Sequence, residues 1–369
     1  MRTIKAILFL TGSLTFTSML YAQGQKFHVL IGNNAGIHVY EFNSQTGELN
    51  FKSRNTENSA GYFTVSSDRK HIFSASSAAT ISAYRYNSTT GELTFLNKQP
   101  TGGGGSAYVS SDDSGKYVFS ASYGGGSLSA LPIQPDGSLG PDVQVIKHEG
   151  RSVDTARQTK PYVHSIVVSP DNRFVITADL GTDKMNIYSI DPTKRSAPLT
   201  PAPQPFVNLD PGSGPRHSTF HPNKKYYYVV NEVSSTIDAF HYKKGYLTHL
   251  QTVPMLQEGH IGIGDAADIH VSPDGKFLYG NTRNNVNEIV AYSIDRKTGK
   301  LSFVGRQSSL GKGSRTFDID PAGNFIVITN QASNTATIFK LDQKTGLLTP
   351  TVYKVDIDRP SSVKFVKID

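Results

Sequence analysis

The sequence predicts an all-β protein that folds as a seven-bladed β-propeller. Three observations support this prediction: a polar turn recurs about every 50 residues, a glycine-containing turn follows it in most units, and short apolar runs flank both turns. The 369 residues include 33 Gly, 19 Phe and 18 Tyr. That composition favours strands and turns, and helical periodicity is hard to find anywhere in the chain.

Residues 1–22 predict a secretory signal peptide. A short basic start with Arg2 and Lys5 precedes a mostly apolar run from Ala6 to Leu20, and Ala22 offers a small residue for cleavage. A membrane anchor is less favoured, because the run is short for a span and contains several Thr and Ser residues. We therefore expect an exported protein, periplasmic or extracellular, whose mature chain 23–369 forms a single domain.

The polar turn joins the first two strands of each predicted blade. Its clearest example is Ser-Pro-Asp-Gly-Lys at 272–276, in which proline presets φ while Asp and Gly tolerate a sharp return of the chain. Related turns occupy 66–70, 111–116, 169–173, 221–225, 272–276 and 320–324. A regular return of this kind indicates one structural unit repeated along the chain.

The glycine-containing turn joins the third and fourth strands of a blade. It reads Thr-Gly-Glu-Leu at 46–49 and again at 90–93, and variants follow at 136–139, 244–247, 298–301 and 345–348. A β-sandwich would also contain many short strands. It would not repeat two turns in a fixed order at this period, so a propeller is favoured.

The repeat count predicts six complete blades and one divided blade. The complete blades are expected at 59–99, 104–148, 161–209, 214–254, 265–308 and 313–355. The N-terminal segment 27–54 lacks a first strand, and the C-terminal segment 361–366 is a first strand with nothing after it. We expect strand 361–366 to pair beside strand 27–31, which closes the ring and removes exposed sheet edges.

Composition and charge exclude several classes of function. The absence of Cys excludes disulfides, thiol nucleophiles, zinc–thiolate sites and iron–sulfur clusters. The formal net charge of +7 falls to about +5 once Arg2 and Lys5 are removed. Basic residues scatter over the turns without interleaved aromatics, so we expect no nucleic-acid partner. We also expect no membrane attachment after cleavage, and the sequence leaves the oligomeric state open.

The repeat also predicts a cluster of side chains at one rim of the ring. Adjacent strands are antiparallel, so the start of the first strand and the end of the second share a rim. The first of these two positions holds Gly61, Gly105, His164, Arg216, Ala267 and Arg315. The second holds Ser77, Tyr123, Leu180, Glu232, Arg283 and Gln331. The charged members are therefore expected to converge on one mouth of the central channel.

Several segments resemble those of one known family when they are taken in order at blade spacing. They lie at 163–165 with 179–183, 212–217 through 221–222 to 231–232, 266–275 with Arg283, and 315–321 with 330–331. From about residue 26 to its end the chain resembles the seven-bladed propeller lactonases, whose named members are bacterial 6-phosphogluconolactonase and fungal carboxy-cis,cis-muconate cyclase. The resemblance implies a hydrolase that opens a sugar-derived lactone.

The resemblance implies which residues carry that chemistry. His164, Arg216, Glu232 and Arg283 match the positions implicated in the family and are expected to be catalytic. Arginine forks suit a carboxylate or phosphate and can stabilise an oxyanion. Either His164 or Glu232 can activate water as the general base, and the sequence leaves that choice open.

Five further residues beside these motifs are expected to bind substrate: His217, Asp268, His270, Arg315 and Gln331. The expected substrate is a small anionic or sugar lactone, with no cofactor and no metal. Two other functions stay open at this point. One is a carboxymuconate-type lactonising cyclase, and the other is a propeller that binds a ligand or a protein without catalysis.

Overall fold

The computed structural model describes residues 26–260 and 264–369, and the predicted signal peptide lies outside the described residues. The described residues form 28 strands and no helix. These strands make seven four-stranded antiparallel sheets. The predicted all-β, seven-bladed propeller is therefore confirmed.

The strands follow one another along the chain with short turns between them. In chain order they are β1 Phe27–Asn33, β2 Gly36–Phe42, β3 Leu49–Asn55, β4 Tyr62–Val65, β5 His71–Ser76, β6 Thr80–Tyr86, β7 Leu93–Pro100, β8 Ser106–Ser111, β9 Tyr117–Ser122, β10 Ser127–Pro132, β11 Gln144–Lys147, β12 Val163–Val168, β13 Phe174–Asp179, β14 Lys184–Ile190, β15 Leu199–Asn208, β16 Pro215–Phe220, β17 Tyr226–Asn231, β18 Thr236–Lys243, β19 Tyr246–Pro254, β20 Ala266–Val271, β21 Phe277–Thr282, β22 Glu288–Ile294, β23 Leu301–Ser308, β24 Ser314–Ile319, β25 Phe325–Asn330, β26 Thr335–Leu341, β27 Leu348–Asp356 and β28 Ser362–Lys367. Blades 1 to 6 are β4–β7, β8–β11, β12–β15, β16–β19, β20–β23 and β24–β27, and blade 7 joins β28 to β1–β3.

Blade 7 closes the ring as the terminal segments predicted. β28 pairs antiparallel with β1, and the paired residues run from Phe27 opposite Lys367 to Gly32 opposite Ser362. Val363 of β28 is buried in a cluster with apolar side chains of blade 6, including Val327. Pairing within blade 7 and packing against blade 6 therefore both depend on the last strand of the chain.

The recurrent polar turn is built in the way its sequence suggests. At 272–276 the hydroxyl of Ser272 donates to Asp274 Oδ1 at 2.8 Å and accepts the backbone N–H of Phe277 at 3.0 Å. Gly275 adopts φ +72°, a left-handed conformation that favours glycine. A Cβ at Gly275 would also lie 2.6 Å from the ring of His221, so glycine is required there on two grounds.

The core of the ring lies between the blades. Seven apolar clusters in the described residues each join two adjacent blades. Between blades 4 and 5, for example, Tyr228 and Val230 pack with Ile269 and Leu278. The first strand of each blade contacts the first strands of its neighbours around the axis. Residues near the start of these strands therefore have fixed positions around the channel mouth.

Candidate active site

The innermost strands carry β-bulges at the mouth of the channel. The bulge falls on His164 in β12 and on Arg315 in β24, and in β16 the register shift includes Arg216. A bulge interrupts the regular alternation of a strand and turns a side chain in a new direction. In blade 2 the equivalent bulge residue is Ala107. The prediction that Gly105 holds this position was wrong, because the polar turn of blade 2 starts one residue later than its sequence suggested.

A cavity of about 550 Å³ lies at this mouth. Its volume is within the usual range of small-molecule sites, about 300–1,000 Å³. It is lined by Ser77, Gly105, Ser106, Ala107, Tyr123, Gly124, His164, Glu232, Arg283 and Arg315. Four of the predicted site residues thus meet in one concavity. Arg216 lies behind it and is only 1 % exposed.

Glu232 follows β17 and is held by three arginines. Its Oε2 accepts from Arg216 Nε and from Arg283 Nη2, both at 2.7 Å. Its Oε1 accepts from Arg157 Nη2. Burial alone would raise the pKa of Glu232, but Arg283, Arg216 and Arg157 outweigh it and hold that pKa below the ordinary value. The carboxylate is therefore ionised at neutral pH, and both of its oxygens are occupied.

Arg157 is a functional candidate that the sequence did not reveal. It lies in the irregular segment 148–162 that connects β11 to β12, and its side chain is 35 % exposed. Besides Glu232 it contacts Asp265 Oδ1 at 3.4 Å. The segment is anchored beside it, because the backbone N–H of Arg157 donates to Asp154 Oδ1 and the buried amide of Gln158 donates to Leu180 O. This arginine occupies no repeat position, so the repeat could not identify it.

His164 is a neutral imidazole at the wall of the cavity. It is 7 % exposed, and its ring lies edge-on to Tyr123 with 5.3 Å between centroids. Burial is the main cause that holds the pKa of His164 well below 6.5, and the charge of Arg216 acts in the same direction. Within the described residues, Nδ1 of His164 has no hydrogen-bond partner.

The channel beneath the cavity is filled by a second layer of side chains. The rings of Tyr62 and Tyr108 stack at 4.0 Å, and His217 lies edge-on to both, at 5.5 and 5.0 Å. His217 Nδ1 bonds Asp268 Oδ1 at 2.7 Å, and Asp268 Oδ2 bonds His270 Nε2 at 3.2 Å. Burial, reinforced by Arg216, lowers the pKa of His217 to about 3. His217, Asp268 and His270 thus lie next to the cavity and do not line it.

The other two predicted substrate-binding residues differ in position. Arg315 lines the cavity, and it makes no ion pair within the part of the chain that the structure describes. Burial and then the nearby Arg283 lower the pKa of Arg315 to about 10, so its guanidinium remains charged at neutral pH. Gln331 donates its backbone N–H to Gly313 O at 2.9 Å, and its side chain does not line the cavity.

The charge balance of the mouth is positive. Its four arginines are Arg157, Arg216, Arg283 and Arg315, while the carboxylates in contact with them are Glu232 and Asp265. His164 adds no charge at neutral pH. An excess of positive charge attracts anions and stabilises negative charge that develops in a reaction.

Among residues 26–260 and 264–369, no three His, Asp or Glu side chains are grouped so that they could hold a metal ion. Independence from metals stays a prediction. In the same residues no helix is long and apolar enough to cross a membrane.

Several known proteins that this chain is similar to are described as lactonases. A family model described as "Lactonase, 7-bladed beta-propeller" matches residues 19–365. The chain is 31 % identical over 337 residues to a 6-phosphogluconolactonase of Formosa agariphila, which covers 89 % of this chain and 95 % of that protein. It is 32 % identical over 256 residues to the 6-phosphogluconolactonase of Bacillus subtilis, covering 69 % and 71 %. The solved periplasmic gluconolactonase of Pseudomonas aeruginosa superimposes with a TM-score of 0.89 at 30 % identity, covering 93 % of this chain and 100 % of that one.

Proposed function

The chain belongs to the seven-bladed β-propeller lactonase family, and on that premise we propose that it hydrolyses a sugar-derived lactone in the cavity at the channel mouth. The observation that carries this proposal is the convergence of His164, Glu232, Arg283 and Arg315 on one cavity. Ester hydrolysis requires a proton acceptor for water and positive charge where the carbonyl oxygen becomes an oxyanion. These residues supply both requirements.

Arg283 and Arg315 are the groups proposed to stabilise the oxyanion, because both guanidinium groups line the cavity. Glu232 acts as a positioning residue. Its Oε2 holds Nη2 of Arg283 at 2.7 Å and fixes that guanidinium against the buried Arg216. Three positive partners make Glu232 a weak base, and both of its oxygens already accept from guanidinium groups.

His164 is proposed to take the proton from the attacking water. Water adds to the lactone carbonyl carbon, and its proton passes to the imidazole while the carbonyl oxygen becomes the oxyanion. When the tetrahedral intermediate collapses, the bond between the carbonyl carbon and the ring oxygen breaks. His164 then returns the proton to that oxygen. The product is an open-chain hydroxy acid, which ionises in water.

The charge of the mouth supports an anionic lactone as the preferred substrate. Four arginines face two carboxylates, and Arg315 is the one without an ion pair among the described residues. A guanidinium suits a phosphate or a carboxylate group. The relatives named 6-phosphogluconolactonase favour 6-phosphoglucono-δ-lactone, and the periplasmic gluconolactonase neighbour favours glucono-δ-lactone. That neighbour and the signal-like residues 1–22 also support export of the protein.

The test is a lactone panel assayed by acid release with purified chain 23–369. The panel contains 6-phosphoglucono-δ-lactone, glucono-δ-lactone and δ-valerolactone, each corrected for spontaneous hydrolysis. We expect His164→Asn to lower kcat by about 10²–10⁴ and Arg283→Met to lower it by about 10²–10³. Arg306→Met is the matched control, because Arg306 pairs with Glu288 away from the mouth cavity.

Two results would overturn the proposal. One is a wild-type protein that hydrolyses none of the three lactones faster than buffer does. The other is an Arg283→Met variant that is as active as Arg306→Met. Incubation of the wild type with a cis,cis-muconate carboxylate, followed by ultraviolet absorbance, tests the lactonising cyclase directly, and we expect no ring closure there.

A further inference from the structure

The cavity has two unlike halves. Blades 3 to 6 supply His164, Glu232, Arg283 and Arg315, which are large and polar or charged. Apart from Tyr123, blades 1 and 2 supply only small residues. These are Ser77, Gly105, Ser106, Ala107 and Gly124, and together we name them the glycine shelf. The shelf leaves half of the mouth without long side chains.

Backbone geometry explains the glycine at most positions near the shelf but not at Gly124. A Cβ at Gly125 would lie 1.3 Å from Gly103 O, and one at Gly105 would lie 2.9 Å from Ser77 O. At Gly124 the nearest heavy atom to an added Cβ is Gly105 N, at 3.8 Å, which is an ordinary contact. Its φ also lies outside the left-handed region. The fold therefore tolerates a side chain at position 124.

The other blades show what a side chain at this position does. Blades 3, 4 and 6 build the same four-residue turn between their second and third strands, and the equivalent residues are Gly181, Val233 and Ala332. At Gly181 the backbone requires glycine, because an added Cβ would lie 1.8 Å from Lys160 O. The last residue of each of the four turns has φ between 53° and 61°. Val233 and Ala332 lie over Gly214 and Gly313, the residues just before their first strands, within 2.4 and 3.0 Å of an added Cβ there. In blade 2 the side chain is missing, and the corresponding glycine, Gly105, is exposed to the cavity.

We propose that the glycine shelf receives the ring hydroxyl groups of the lactone, while the carbonyl end and any anionic group face the arginines. This inference rests on the proposed lactonase function. The glycines at 105 and 124 let a ligand approach the backbone closely, and the short side chains of the rest of the shelf leave room for hydroxyl groups. The turn is held in place, since Gly124 O accepts from Lys160 Nζ at 2.7 Å. The substrates selected are therefore lactones whose rings carry hydroxyl groups, not unsubstituted rings.

The experiment compares two lactones on three variants. Glucono-δ-lactone carries hydroxyl groups and a hydroxymethyl group, whereas δ-valerolactone is the same ring without them. We expect Gly124→Val to lower kcat/KM for glucono-δ-lactone about tenfold or more relative to δ-valerolactone, with Gly124→Ala intermediate. If the wild type does not turn over δ-valerolactone, its Ki as a competitor replaces kcat/KM. Ala332→Val is the matched control, because it places the same valine at the equivalent position of blade 6 outside the cavity, and its selectivity should equal that of the wild type.

The outcomes separate this inference from the proposed function. Hydrolysis of no lactone by the wild type overturns the proposed function and this inference with it. Wild-type hydrolysis with no change of selectivity in Gly124→Ala and Gly124→Val overturns the inference alone, as do equal losses on both lactones. Should Gly124→Val fail to fold, Gly124→Ala decides, since its single Cβ has ordinary contact distances.

Discussion

Replacing Glu232 by Gln tests the contacts on which the candidate site depends. Glutamine keeps the size of the side chain and one acceptor oxygen, but it removes the negative charge that Arg157, Arg216 and Arg283 share. Arg216 is only 1 % exposed, so water cannot replace the lost carboxylate. Removal of one partner from a buried ion pair destabilises a protein by about 3–5 kcal/mol.

The expected change in melting temperature follows from the size of the domain. Unfolding entropy is about 2.1 cal/mol/K per residue, so about 340 residues give about 0.7 kcal/mol/K. A loss of about 3–5 kcal/mol therefore lowers Tm by about 4–7 °C. The contact between Glu232 and Arg157 adds little to this loss of stability, because Arg157 is partly exposed and solvent screens the charges.

Thermal unfolding followed by circular dichroism at pH 7 measures the effect. Glu288→Gln is the matched control, since Glu288 pairs with Arg306 at 3.0 Å in a partly exposed position. A surface pair contributes about 0–1 kcal/mol, so the control should lose no more than about 1–2 °C. If Glu232→Gln loses no more Tm than the control does, Glu232 does not hold the arginines. Its assignment as a positioning residue would then be wrong.

Three further predictions follow from the closure of the ring and from the charges at its mouth. Deletion of residues 360–369 removes β28 and reopens the ring, so the shortened chain should lose its cooperative thermal transition. Lactonase activity should survive exhaustive chelation, and a loss that Ca²⁺ or Mg²⁺ restores would contradict this prediction. The pKa of His217 is about 3 in the folded protein and 6.5 in the unfolded chain, so the unfolded state binds more protons between these values. The free energy of unfolding in urea should therefore fall as pH drops below about 6.5, and His217→Gln should flatten that dependence.

The fold could be predicted from the sequence because the motifs that define a blade are short stretches of neighbouring residues, and they recur along the chain. A turn such as 272–276 depends on residues adjacent in the chain, and its recurrence gives the number of blades. Closure by 361–366 followed from incomplete repeats at the two ends. The convergence of His164, Glu232 and Arg283 could be predicted for the same reason, since each occupies a repeat position.

The rest of the site depends on features that the repeat does not encode. Arg157 comes from an irregular segment outside the repeat, and nothing in its local sequence indicates that it reaches Glu232. The β-bulges at His164 and Arg315 are invisible to a simple alternation of strand residues. The sequence predicted Arg216 as catalytic and His217 as substrate-binding, and neither of them lines the cavity, although both lie at the register shift of β16.

The arginines weaken both candidate bases at this mouth, Glu232 and His164. The same positive charges hold the pKa of Glu232 below its ordinary value and add to the effect of burial on His164. In the proposed mechanism, stabilisation of the oxyanion therefore supplies more of the rate acceleration than the base does. The oxyanion in turn offsets the arginine charge felt by His164, so protonation of the imidazole becomes more favourable as the intermediate forms. In the proposed mechanism, proton acceptance and charge stabilisation are thus coupled through Arg283 and Arg315.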